Sequence, residues 1–360
     1  MKKLVFFVLM FKLTCSNGYT QGCATIRNII GVSQFQPAEN AFTASQWTLN
    51  ISNRYYKSFR DFRKTTDILT PLQNEAINRN YSIDFSVTHL LPNGWSLSLA
   101  LPVLANSREA SAEHGGPNTT RHTTRAFGLG DIRFMVSKWM LKPKEDQKFN
   151  FQLGLGLKLP TGDYKVQDYF YRNDTTKVLA PVNPGIQLGD GGTGIITEIN
   201  GYYQVTKSLN LYADLYYMSS PREQNGASVL SGRTPTAIQI KAGIPEASVT
   251  DAYVVRAGAY FNLKDRLTLS AGVRNEGVPV HDFIGGNGGT RRPGHYLSIE
   301  PGIIYRLNNM SWYLQIPMNI SRSIDQSVQD EVVTVLTNTF TSSPGGSANF
   351  QVLFGAFFKL

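Results

Sequence analysis

Phe149-Asn150-Phe151-Gln152-Leu153-Gly154-Leu155-Gly156-Leu157-Lys158-Leu159 decides the fold. Every odd position is apolar, and every even position is polar or glycine. Side chains of an extended strand point alternately to two faces, so the pattern specifies one apolar face and one polar face. A helix would scatter the same apolar set around its circumference. The run also has the length, roughly 9–11 residues, that a tilted strand needs to cross hydrocarbon.

The rhythm recurs from Trp47 to the C-terminus. Trp95, Leu97, Leu99 and Leu101 alternate with Ser96, Ser98 and Ala100, and Tyr81, Ile83, Phe85 and Val87 alternate with Ser82, Asp84, Ser86 and Thr88. The alternation predicts strands at 47–59, 77–90, 95–103, 127–141, 149–160, 193–205, 209–219, 251–261, 267–276, 295–306, 310–322 and 350–360. Residues 236–244 alternate poorly between prolines and read as loop. The connections alternate in length. Short turns fall at 91–94, 142–148, 206–208, 262–266 and 307–309. Long loops fall at 60–76, 104–126, 161–192, 220–250, 277–294 and 323–349. Loops that long are rare in compact soluble domains, whereas outer-membrane barrels join short periplasmic turns to long extracellular loops. Hydrocarbon offers no partner to a bare sheet edge, so the sheet must close. The expected fold is all-β: a transmembrane antiparallel up-and-down β-barrel of about 12 strands, with the strand at Trp47 paired to Phe350–Leu360. Trp47, Trp95, Trp139 and Trp312 all lie by short turns or at periplasmic strand ends, as an aromatic girdle requires.

The 360-residue chain is 41% apolar and only 17% charged, against roughly 25% charged in soluble domains. Residues 1–22 read as a signal peptide: Lys2 and Lys3 precede the apolar run Leu4–Phe11, with cleavage sites after Gly18 or Gly22. A lipoprotein modified at Cys15 or Cys23 is the rival reading, but neither cysteine follows a Leu-small-small pattern. Residues 23–46 form either a loose periplasmic arm or a lumen plug built on Ile29, Ile30, Val32 and Phe35, and 47–360 form the barrel. Removing Lys2, Lys3 and Lys12 with the leader lowers the net charge of +9 by three. The remaining basic excess suits outer-membrane lipid and lipopolysaccharide, and its scatter argues against nucleic acid. Cys23 alone cannot form an internal disulfide. Insertion of such a barrel implies the barrel-assembly machinery of a Gram-negative cell.

Gly128-Leu129-Gly130-Asp131-Ile132-Arg133-Phe134 opens one strand, and the quoted strand runs on into Leu159-Pro160-Thr161-Gly162-Asp163. Gly189-Asp190-Gly191-Gly192-Thr193-Gly194 opens the next. This arrangement resembles the outer-membrane transporters grouped as the MetA-pathway phenol-degradation family, over residues 80–220. The resemblance implies a barrel that moves aromatic or hydrophobic solutes. It carries over no binding residue.

The polar face supplies the candidate lumen lining: Asp84, Arg133, Lys158, Glu198, Asp214, Arg256, Arg274 and Glu300. Both signs are balanced. A charge-selecting constriction is one reading; an ion-pair network that stiffens the wall is the favoured one, because balanced charge selects weakly. No catalytic, cofactor or metal pattern emerges. His114 and His122 lack a carboxylate cluster, and Asp163, Asp168, Asp174 and Asp190 lack calcium-loop spacing. Gly189–Gly194 has no following Lys-Ser, so it is no phosphate loop. Gly285–Gly289 reads as a mobile extracellular tip. Lipid-modifying enzymes are also built on such barrels, but His295 and Ser298 fall on opposite strand faces. The expected function is a porin-like channel or transporter for small solutes, hydrophobic or aromatic ones among them. An outer-membrane lipid-modifying enzyme and an adhesive barrel with ligand-binding loops are the alternatives.

Overall fold

In the computed structural model, residues 45–68, 75–116, 119–142 and 147–360 are described. The expected signal peptide, and all but the last two residues of the expected arm or plug, lie outside them. Twelve barrel strands follow in order. They are β1 (Gln46–Arg63), β2 (Ile77–Leu90), β3 (Trp95–Ala110), β4 (His122–Leu129 and Arg133–Trp139), β5 (Phe149–Lys158) and β6 (Gly194–Gln204). Then come β7 (Leu209–Ser219), β8 (Ala252–Lys264), β9 (Leu267–Val278), β10 (Gly294–Ile299 and Gly302–Leu307), β11 (Met310–Gln315 and Met318–Ile324) and β12 (Gly345–Lys359). Each pairs antiparallel with its sequence neighbours, and β12 closes on β1 from Thr48↔Lys359 to Phe62↔Gly345. Closure leaves no wall edge for lipid to meet.

One face of every strand is apolar and exposed; Leu99, Leu155, Leu215, Leu269 and Ile303 exemplify it. In water such a band would be a liability, and around a closed barrel it is the surface that meets hydrocarbon. Trp47, Trp95 and Trp312 sit on this face near the short turns. Trp139 does not: it is buried inward against Tyr202, so the girdle has three of its four expected tryptophans. A second belt was not anticipated. Tyr55 pairs with Tyr81 and Tyr217 with Tyr253 on the outward face. Eight residues separate Trp47 from Tyr55, roughly 26 Å along a strand and less once tilted. That spacing matches the two interfaces of a bilayer.

Strand ends depart from the sequence-based ranges. β1 runs to Arg63 and β3 to Ala110, so the wall rises past the membrane belt and the loop after β3 is only 111–121. Alternation weakens there because both faces meet water or other loops, which removes the signal. The loops carry their own structure. A hairpin joins Gln167–Tyr171 to Lys177–Pro181, and a second joins Gln224–Ser228 to Glu246–Ser248. Helix α1 (Ala237–Lys241) occupies 236–244, and α2 (Val328–Thr337) starts at a Ser327–Asp330 capping box. Gly285–Gly289 is not a free tip. Gly288 N donates to Glu223 (2.7 Å), and Gly289 is buried.

Candidate functional site

The polar faces meet inside the barrel, and the interior is filled rather than wet at mid-height. Asp214, Arg256 and Arg274 occupy one register row across β7, β8 and β9. Arg256 is 2% exposed, Glu300 1% and Asp214 0%. Side chains lining an aqueous pore would show far more surface. Arg256 pairs with Glu300 and, at 3.8 Å, with Asp214. Arg274 pairs with Glu276 (2.6 Å), which also accepts from Gln351 Nε2 (2.9 Å) across the lumen on β12. Glu198 lies diagonally above Asp214 on β6, equally buried.

Below this charged layer the filling is aromatic. Tyr212 stacks on Tyr260 at 4.8 Å and packs with Ile304 and Tyr313. Glycine makes the fit possible. A Cβ at Gly258 would lie 2.7 Å from the Tyr212 ring, and one at Gly272 would lie 2.3 Å from its hydroxyl. The ring therefore lies flat across two neighbouring strands. Tyr313 Oη reaches over Gly355 of β12 and donates to Asn50 Oδ1 (3.1 Å) on β1.

The three glycine-rich segments of the sequence converge at one break in the wall. β4 is interrupted at Gly130-Asp131-Ile132, beside Pro102 of β3. Gly130 N donates to Pro102 O (2.8 Å). Inward positions are even before the break, as at Thr124 and Ala126, and odd after it, as at Met135 and Ser137. Thr161 supplies the missing rung: its hydroxyl donates to Gly130 O (3.0 Å) and accepts from Ile132 N (2.9 Å). Asp131 Oδ1 accepts from Gly162 N (2.9 Å), and its other oxygen from Asp190 N (3.4 Å). Lys158 pairs with Asp190 and, at 3.7 Å, with Asp131. A Cβ on Gly189 would sit 2.5 Å from Asp131 Oδ1, so only glycine fits there.

This clasp fastens the 161–192 loop over the outer half of the lumen. Asn80 and Asn106, inward on β2 and β3, donate to Gly185 O (3.3 Å) and Ile186 O (3.1 Å). Val182, Ile186 and Leu188 pack against Leu104 and Ala126. The expectation for residues 23–46, a loose periplasmic arm or a lumen plug, lies outside the described residues but for its last two; a loop entering from the extracellular side was not expected. Above it the remaining loops interlock. Arg291 and Asp282 form an ion pair (2.7 Å) with both side chains fully buried, and Arg291 also donates to Ser248 Oγ (2.8 Å). Asp251, also fully buried, accepts from Ser220 N, Phe283 N and Tyr217 Oη. Burial raises the Asp282 carboxyl above its ordinary value, with Arg291 opposing.

All eight sequence-derived candidates lie on the inward face. Asp214, Arg256 and Glu300 meet directly. Arg274 stands beside Arg256 in register and pairs with Glu276, and Lys158 belongs to the clasp. Arg133 is its register partner. Asp84 stands apart, half-exposed, and accepts from Ser82 Oγ (3.0 Å). Glu276 was missed although it sits two residues from Arg274, hence on the same face. Of the loop aspartates, Asp190 serves the clasp, Asp163 and Asp168 cap nearby backbone N–H groups, and no metal-ligand group forms among the described residues. Ser298 Oγ bonds Asn319 Oδ1 (2.5 Å) on the inward face.

Residues 78–176 match the family model described as "Putative MetA-pathway of phenol degradation". They run from β2 to the turn of the first loop hairpin and include GLGD and LPTGD. An outer membrane channel from Pseudomonas putida F1 aligns over 90% of this chain and 99% of its own, at 9% identity and TM-score 0.58. The fold is that of an outer-membrane β-barrel. The translocator domain of autotransporter NalP from Neisseria meningitidis aligns over 91% of this chain and 92% of its own (11% identity, TM-score 0.44). The NanC porin aligns over 87% and 100% (11% identity, TM-score 0.41). No curated protein matches the sequence.

Proposed function

We propose that this barrel is a channel for small hydrophobic or aromatic solutes across the outer membrane of a Gram-negative cell, and not a lipid-modifying enzyme. One observation carries the reading. Outside the charged layer the 161–192 loop packs on the wall beside the β4 break through a buried apolar cluster of Leu104, Ala126, Val182, Ile186 and Leu188. A porin for polar solutes needs water-exposed charge along its passage; here the charged groups are buried in pairs and the contacts that hold the loop over the lumen are aliphatic. The description of the matched family, which concerns phenol degradation, agrees with that cargo. The Ser-His pair that the enzyme alternative rested on does not meet: Ser298 faces the lumen against Asn319, and His295 faces outward on the same strand. A nucleophile and its base must share hydrogen-bonding reach.

The test compares cells with and without the chain for uptake of radiolabelled phenol and toluene. Purified barrel in proteoliposomes is assayed in parallel for arabinose flux. Faster uptake of the aromatics with little arabinose flux is expected. Rapid arabinose flux with no aromatic effect would make the barrel a general porin and end the reading.

A further inference from the structure

The hairpin Gln167–Tyr171/Lys177–Pro181 and the 229–236 loop bring two guanidinium groups to one spot on the extracellular cap. Arg172 Nη1 donates to the Glu113 and His114 carbonyls (3.0 and 3.3 Å), and its Nη2 to Ser231 O. Arg233 Nη2 donates to Ala112 O (2.7 Å) and to the same His114 carbonyl (3.0 Å). Two positive charges thus share one neutral acceptor. The Glu113 carboxylate is engaged elsewhere: its Oε1 accepts from Arg108 Nε (2.8 Å) and Asn183 Nδ2 (3.0 Å). Among the described residues neither arginine has an ion pair, although other cap arginines do; Arg108, Arg121 and Arg291 each hold a carboxylate. The like charge is felt, for burial and Arg233 together hold the Arg172 guanidinium below its ordinary range. Each guanidinium carries five donors, so about half of the pair's N–H groups remain after these backbone bonds. Arg172 is half-buried and Arg233 exposed, which leaves the pair open to solvent on one side.

We propose that Arg172 and Arg233 form an oxyanion seat at the outer mouth of the barrel, built for a carboxylate or phosphate group. Such an anion would bridge both forks with charge-assisted hydrogen bonds and relieve the repulsion between them. The anion can come from a free solute or from a phosphate of lipopolysaccharide. The seat stands independently of the hydrophobic-channel reading, since it lies on the cap and touches none of the lumen network.

The experiment titrates purified full-length barrel in zwitterionic detergent, at low salt, with sodium phosphate, with sodium benzoate and separately with lipopolysaccharide. Binding is read by calorimetry, and heat-modifiable migration in gels verifies that each variant barrel is folded. The expected result is saturable binding of at least one of the three, weakened about tenfold or more in Arg233→Gln and weakened by added salt. Arg233→Lys, which keeps the charge but loses the fork, should fall between the two and serves if the glutamine variant does not fold. Binding of a free oxyanion assigns the seat to solutes; binding of lipopolysaccharide alone assigns it to lipid phosphate. Absence of binding by all three, or affinity unchanged in both Arg233 variants, overturns the proposal.

Discussion

Replacing Arg256 by methionine tests the central claim that the barrel interior is packed around paired charge. Arg256 faces Glu300 and Asp214, and all three are almost wholly buried. Methionine keeps most of the side-chain volume, so little of the effect comes from a cavity. What is lost is the cation paired with two carboxylates held out of water. Deleting one partner of a buried ion pair costs about 3–5 kcal/mol, because the remaining charge keeps its desolvation penalty. Neutralising Glu300 as well, in Arg256→Met/Glu300→Gln, should restore about 1–2 kcal/mol, the coupling expected of residues in direct contact. The assay is reversible urea unfolding in lipid vesicles, followed by tryptophan fluorescence, with planar-bilayer conductance measured on the same proteins. Water drawn in to solvate the stranded carboxylates should also raise conductance. A single variant within about 1 kcal/mol of the parent, with the double variant no better and conductance unchanged, would mean these groups already sit in water. The packed-lumen argument would then fail.

Other perturbations report on the clasp and the cap. Thr161→Val removes the hydroxyl that bridges Gly130 O and Ile132 N, and should cost about 1–3 kcal/mol and speed hydrogen exchange across 159–192, while Thr161→Ser stays near the parent; equal exchange in both variants would show that the rung is dispensable. Arg291→Ala strands the buried Asp282 carboxylate, so proteinase K should cut the 277–294 loop while the barrel keeps its heat-modifiable band; parental resistance to proteinase K would refute the interlock. His114 is buried, and burial with the nearby His122 and Arg172 holds its imidazole down to about 4, against Glu113 and Asp168. The folded cap therefore binds fewer protons than the unfolded chain between that value and 6.5, so its stability is full above 6.5 and falls as pH drops toward 4. Exchange of 111–116, corrected for the intrinsic rate, should rise at pH 5 in the parent and change little in His114→Phe; equal acid sensitivity in both would assign the effect to another group.

How much of this was legible depended on whether a side chain answered to lipid or to another loop. Leu153, Leu155 and Leu157 face hydrocarbon whatever else the molecule does, so alternation exposed the strands, their order and the β1–β12 closure. The eight lumen charges were legible as a face for the same reason. Their pairing was not: Glu276 and Gln351 meet across the barrel interior although 75 residues separate them in sequence, and no periodicity encodes that approach. Trp139 shows the limit from the other side. Its nearness to a turn suggested the girdle, but parity along β4 placed it inward with Met135 and Ser137. The β4 break alone reverses that parity, and nothing in Gly130-Asp131-Ile132 announces a reversal until Thr161 and Asp131 are seen to stitch it.

The clasp and the charged layer explain each other. A continuous ladder at β3–β4 would need no outside donor, but Pro102 and the Gly130–Ile132 break interrupt the regular register. Open backbone groups at membrane depth cost several kcal/mol each unless protein satisfies them. The 161–192 loop meets that need through Thr161, and Asp131 and Lys158 bind its two ends to the wall. A loop fixed there cannot leave the outer lumen without exposing the break. Under the proposed channel function, a solute entering on that side has to exchange Ile186 and Leu188 for its own apolar surface rather than simply widen a pore. That exchange is close to neutral for a hydrophobic solute and unfavourable for a polar one, which would strand its hydrogen bonds against aliphatic side chains.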